Sequence, residues 1–168
     1  DGFVHRLVQR RKLLTFAGLL LDPATHALEW TSAGHPPPML FGRREAPREL
    51  EGIKYPVGYG PRLRPTSETL TLQPGESVLL YTDGLVETAN PRQEPFGYER
   101  LSDFLREHRD LPPDALLDGL LACRARFAEG QPLEDDLTLL MLRREPVSSA
   151  TGPAVPEQNP ASVGPASA

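Results

Sequence analysis

Short apolar strand candidates separated by turn residues fill the first half of the chain, and two long amphipathic segments come late, which predicts an α+β fold. Two further observations support that class. Val78-Leu79-Leu80-Tyr81 is an unbroken apolar run, the mark of a strand covered on both faces. The helical stripes are collected after residue 100 instead of alternating with strands, so the sheets are expected to be antiparallel.

Taken in order, Phe3, Val4, Leu7 and Val8 fall at helical spacing and predict the end of an amphipathic helix within residues 1–12. Leu13 to Leu21 reads as a strand, with Gly18 marking a bulge or a close backbone contact. Asp22-Pro23-Ala24-Thr25 is a turn, and Leu28 and Trp30 then share one face of a second strand, which makes an antiparallel hairpin. Ala33-Gly34-His35-Pro36-Pro37-Pro38 is a stiff loop before extended Met39-Leu40-Phe41. Glu49 to Ile53 is a further short strand candidate, followed by a bend at Tyr55-Pro56-Val57-Gly58. Ser67 to Leu72 alternates, with Leu70 and Leu72 facing inward.

After Pro74-Gly75 the apolar strand Val78–Tyr81 delivers Asp83-Gly84, and Asn90 to Gly97 is a loop leading to the helices. The first helix carries Leu101, Phe104, Leu105 and His108; the second starts at Pro112 or Pro113 and carries Leu116, Leu117, Leu120, Leu121 and Phe127, with Gly130 closing it. Leu137 to Leu142 is the last strand. Residues 144–168, rich in Pro, Ala and Ser without periodicity, read as a disordered tail after a domain spanning residues 1–143.

A length of 168 residues suits one domain with a proper core. The net charge of −5 and pI near 5.4 argue against a nucleic-acid surface; the one basic run, Arg6 to Lys12, reads as a helix face. The single cysteine, Cys123, lies within a helical stripe, so no disulfide framework exists and a reducing, cytoplasmic setting is expected. No run approaches the roughly 18 apolar residues of a membrane span. The first residue is Asp1, which suggests a piece of a longer protein.

Two acidic stretches carry the candidate chemistry. Asp83 stands at the end of the buried strand beside a glycine; on the dipeptide alone, a plain turn closing a hairpin is the more common reading. Glu134-Asp135-Asp136 runs straight into the last strand, and adjacent carboxylates there resist desolvation unless a cation or solvent compensates them. If the two stretches met, they would form a hard-oxygen site suited to Mg²⁺ or Mn²⁺. Spacing cannot show that they meet.

Six segments in this order carry a resemblance: Ala33-Gly34-His35-Pro36-Pro37; Pro56-Val57-Gly58; Leu79-Leu80-Tyr81-Thr82-Asp83-Gly84-Leu85-Val86-Glu87-Thr88; Asn90-Pro91; Phe96-Gly97-Tyr98-Glu99-Arg100-Leu101; and Asp135-Asp136-Leu137-Thr138. Over residues 1–143 the chain resembles the bacterial metal-dependent protein phosphatases of the PPM superfamily, of the SpoIIE-like sporulation and stress-response type. The resemblance implies a β-sandwich of antiparallel sheets flanked by helices, with a two-metal centre at one end.

It further implies hydrolysis of phosphoserine or phosphothreonine on a regulatory protein, often a small STAS-type anti-anti-sigma factor, by metal-activated water. By motif position, Asp83 and Asp135 match metal ligands, Gly84 and Asp136 stand at supporting positions, and His35 falls in a loop with a structural role. The family's first metal motif lies upstream of everything in this chain. The fold is therefore expected with its N-terminal part missing, with an open apolar strand edge and little activity in the chain by itself. A non-catalytic PPM-like partner-binding module in sigma-factor signalling is the alternative. A third reading leaves the acidic turns merely solvated, in which case Asp83→Asn and Asp135→Asn would be neutral or stabilising.

Overall fold

The computed structural model describes residues 14–43, 45–52, 55–57 and 67–145. The expected helix end in residues 1–12, Ile53, Gly58 and the chain beyond 145 lie outside the described residues.

Two antiparallel sheets and a helical layer make up the described structure. Strands β1 (Phe16–Leu21), β2 (Ala27–Ala33) and β5 (Ser67–Thr71) form one sheet in the order β1-β2-β5. The second, in the order β4-β3-β6-β7, contains β3 (Met39–Phe41), β4 (Arg48–Glu49), β6 (Ser77–Tyr81) and β7 (Leu139–Arg143). The helices are α1 (Asp83–Val86), α2 (Gly97–His108) and α3 (Pro113–Ala128). The α+β class and the antiparallel sheets follow the sequence expectation.

The hairpin at the start is built as its residues dictate. Asp22 accepts from the Ala24 amide at 2.9 Å and from the Thr25 hydroxyl at 2.7 Å, closing the turn between β1 and β2. Those bonds to the charged form hold the exposed Asp22 carboxyl below its ordinary value, the Thr25 hydroxyl contributing most. Gly18 is not at a bulge: the register from Phe16↔Ala33 to Leu21↔Leu28 is continuous. A Cβ at Gly18 would lie 2.9 Å from the Phe16 ring, so the glycine makes room for the ring.

Strand β6 explains the layering. Val78 and Leu80 point between the sheets, where Val78 joins Leu28, Trp30, Leu40, Leu50 and Leu72 with Leu80 packed alongside. Leu79 and Tyr81 point the other way, into a cluster with Leu85, Phe96, Leu101, Leu105, Leu116 and Leu120 from the helical side. Alternation of side chains along a strand thus feeds two separate cores. Each fully buried Leu or Val stabilises by about 1.5–3 kcal/mol. The helical stripes differ from expectation at one position: Leu116 and Leu120 are buried, but Leu121 is 39% exposed. Cys123 is half-buried against the helical core. The end of α3 comes one residue before the predicted glycine, at left-handed Glu129 (φ 48°), with Gly130 at φ 85° behind it.

Among the described residues β1 and β5 end one sheet and β4 and β7 the other, and Phe16, Leu20 and Leu140 are exposed on β1 and β7. The ladder runs past β7, since Arg144 exchanges backbone hydrogen bonds with Gly75 and Glu76. No described helix is long and apolar enough to cross a membrane.

Candidate metal centre

Asp83 does not close a hairpin. Strand β6 ends at Tyr81, and the chain turns at once into the four-residue helix α1, with Thr82 at its N-cap position and Asp83 first in the helix. The Asp83 side chain is half-buried, and its Oδ1 accepts from the Gly84 amide at 3.1 Å.

The second acidic stretch lies directly against this corner. The Thr82 hydroxyl donates to the Asp136 carbonyl at 2.7 Å and accepts from the Thr138 amide at 2.9 Å; the Thr82 amide donates to the Thr138 carbonyl at 3.1 Å. Gly84 completes the fit. A Cβ there would stand 2.6 Å from the Asp136 carbonyl oxygen and 3.1 Å from that of Asp135, closer than any side chain permits. Only glycine lets the two backbones approach this far. Asp135 is exposed, and its Oδ1 accepts from the Asp136 amide at 2.7 Å.

Electrostatically the corner is one-sided. The ion pairs among the described residues, Arg43–Asp110 and Arg106–Asp103, leave Asp83, Asp135 and Asp136 without a cationic partner. Glu87 follows one turn after Asp83, and Tyr98 at the start of α2 faces the same side. Burial pushes the Tyr98 phenol up, and the carboxylates of Glu49, Glu87 and Asp83 add to the shift. Behind them the Tyr81 hydroxyl is buried with no hydrogen-bond partner among the described residues, and desolvation drives its phenol far above the ordinary tyrosine value.

His35 sits beside the corner. It borders a groove of about 370 Å³ shared with Phe16, Tyr81, Thr82, Thr138 and Leu140, and its Nδ1 lies 3.4 Å from the Thr15 hydroxyl. On its other side a cavity of about 360 Å³ is lined by Ser32, Pro37, Glu49 and Tyr98. Gly34, at φ 65°, holds this loop against Pro56, whose Cα would lie 2.7 Å from an added Cβ.

The donors present are carboxylate and carbonyl oxygens, the chemistry of a hard cation. Among the described residues no three His, Cys, Asp or Glu side chains converge as an ion-binding group, so Asp83 and Asp135 could supply only part of a ligand set. One or two protein carboxylates with water completing the shell is the ordinary arrangement for Mg²⁺. Of the residues singled out in the sequence, Gly84 meets the Asp135–Asp136 backbone, Asp83 adjoins that contact in the chain, and His35 borders the groove that Thr82 and Thr138 also line. Sequence reasoning passed over Thr82 and Tyr98, which lay inside the quoted motifs but have no chemistry until their neighbours are known.

The family model for stage II sporulation protein E (SpoIIE) matches residues 1–145. The phosphoserine phosphatase RsbP of Bacillus subtilis is 26% identical over 146 residues, covering 84% of this chain and 34% of RsbP. Among solved structures, the SiaA-PP2C domain of Pseudomonas aeruginosa superposes with a TM-score of 0.69 at 25% identity, covering 77% of this chain and 51% of that one. The RsbU and RsbW domains of Rv1364c from Mycobacterium tuberculosis give 0.69 at 27% identity, covering 84% and 40%. The chain therefore spans about a third of that curated relative and about half or less of those solved chains.

Proposed function

The chain belongs to the SpoIIE family, and on that premise we propose that it forms part of a Mn²⁺- or Mg²⁺-dependent phosphatase acting on phosphoserine or phosphothreonine of a regulatory protein. The observation that carries the reading is the contact between Gly84 and the Asp135–Asp136 backbone, which seats two carboxylate-bearing loops together with no ion-pair partner for them among the described residues. Two carboxylates about 5 Å apart at an effective dielectric of 20 repel by roughly 3 kcal/mol, a cost a bound cation reverses.

In this reading Asp83 and Asp135 hold the ions, and Gly84 and Thr82 fix the spacing between their loops. When bound, the divalent ions supply positive charge for the phosphoryl oxygens and acidify water. Neither of the acidic loops offers a Ser-His or Cys-His pair, so these residues bind and orient and do not attack. The substrate we infer is a small STAS-type anti-anti-sigma factor. Support for a regulatory phosphoprotein comes from RsbP, named a phosphoserine phosphatase, and from Rv1364c, in which an RsbU domain is joined to an RsbW domain.

The test is Mn²⁺ calorimetry on this chain and on Asp83→Asn, with phosphoserine-protein turnover measured in parallel on the parent protein. Saturable binding that Asp83→Asn abolishes, together with lost turnover, is expected; the loss should exceed the roughly 10–100-fold that removing a supporting residue costs. Asp83→Asn that binds Mn²⁺ and turns over substrate like wild type sinks the assignment. Metal binding without turnover in the parent protein would favour a partner-binding module instead.

A further inference from the structure

We propose that the Thr82 hydroxyl is a positioning group that sets the divalent-cation affinity of the Asp83–Asp135 pair, by clasping the two acidic loops together. The inference rests on the metal-binding reading of that pair.

A threonine hydroxyl has one proton to donate and lone pairs to accept with. Thr82 uses both across the sequence: the proton goes to the Asp136 carbonyl at 2.7 Å, and the oxygen accepts the Thr138 amide at 2.9 Å. Its own amide adds a third bond, to the Thr138 carbonyl at 3.1 Å. The two residues that Thr82 grips therefore lie between Asp135 and the start of β7, while Thr82 itself immediately precedes Asp83. Each candidate ligand is one residue from the clasp.

The hydroxyl's local alternative makes its use informative. Thr82 stands at the N-cap of α1, where a threonine side chain ordinarily accepts from the helix's own free amides and stabilises by about 1 kcal/mol. No such capping bond is made. The hydroxyl is spent instead on the opposite loop, and the carbonyl it holds is the same Asp136 oxygen that a Cβ at Gly84 would strike at 2.6 Å. One interaction pulls the Asp135–Asp136 backbone in and the bare glycine lets it come, so the separation of the loops is fixed from both directions. Ion-binding geometry tolerates errors of only about 0.5 Å, so a group that fixes this separation controls affinity.

The experiment compares the chain with Thr82→Ser, which keeps the hydroxyl, and Thr82→Val, which keeps the shape without it; Thr82→Ala serves if the valine variant does not fold. Two quantities are read: Mn²⁺ affinity by calorimetry, and amide hydrogen exchange at Thr138 in metal-free protein. The valine or alanine variant is expected to lose about 10–100-fold in Mn²⁺ affinity and to exchange faster at Thr138, with serine restoring both. Faster exchange with unchanged affinity would make the clasp purely structural and overturn the inference. Unchanged exchange would overturn it as well, by showing that the hydroxyl does not hold the loop. Failure of the wild-type chain to bind Mn²⁺, with Thr138 still protected through Thr82, would instead overturn the metal-binding reading and take the inference with it.

Discussion

The β6–β7 ladder ends differently on its two sides. At one end Ser77 pairs with Arg143, whose guanidinium donates to the Ser77 hydroxyl at 2.8 Å, the Leu111 carbonyl at 2.6 Å and the Arg109 carbonyl at 3.1 Å. About 13 Å along the strand, Tyr81 pairs with Leu139, and the flanking residues are the carboxylates of Asp83, Asp135 and Asp136, which among the described residues have no ion-pair partner, above a buried Tyr81 hydroxyl that has no hydrogen-bond partner among them. The first end satisfies its charge from within, binding the α2–α3 connection to the sheet. At the second, backbone contacts bring acidic loops together, and no cation among the described residues pairs with them. The first arrangement serves stability, and the second is the one on which the proposed metal binding rests.

Substitutions at the two ends should separate these roles. The largest loss of stability is expected from Arg143→Met, which removes donors from the half-buried Arg109 carbonyl and the buried Ser77 hydroxyl and should cost about 3 kcal/mol by chemical denaturation. Mn²⁺ affinity should be unchanged in the folded variant; a drop would mean that the two ends are coupled and the division is wrong. Gly84→Ala comes next. Forcing a Cβ to within 2.6 Å of the Asp136 carbonyl should cost about 2 kcal/mol and weaken Mn²⁺ binding at the same time. Wild-type stability and affinity in that variant would show that the loops are not held where the structure has them.

The smallest effect belongs to Tyr81→Phe. Deleting a buried hydroxyl that has no partner should raise the unfolding free energy by about 1 kcal/mol, with Mn²⁺ binding unmoved. A destabilised variant would reveal a hydrogen bond that the phenol makes in solution and would remove the orphaned group from the contrast.

Much of the fold was legible because its signals are local. The Asp22–Thr25 turn, the inward Leu28 and Trp30, and the doubly buried Val78–Tyr81 run need only side-chain alternation and turn chemistry. Where the reading failed, packing that the local pattern does not show had decided. Gly18 reads as a bulge or a close backbone contact, and its sequence context does not show that the Phe16 ring is what lies against it. Leu121 fits the helical stripe yet is exposed, since the core beneath α3 is filled by Leu116 and Leu120. Asp83-Gly84 has the composition of a hairpin turn, but the chain enters α1 because Thr82 is anchored to the start of β7 and the residues after it pack Leu85 and Val86 into the helical core.

By itself the sequence determined the class of fold, the strand that runs through its middle, the hard-oxygen character of its acidic stretches and the residues that mark its family. Tertiary structure alone decided that Asp83 and Asp135–Asp136, more than fifty positions apart, share one corner, and that Thr82 and Gly84 hold them there. The physical reason is range. Periodicity and turn chemistry act over a few residues, whereas the approach of two backbones depends on register across β6–β7 and on one missing Cβ, which no local pattern encodes.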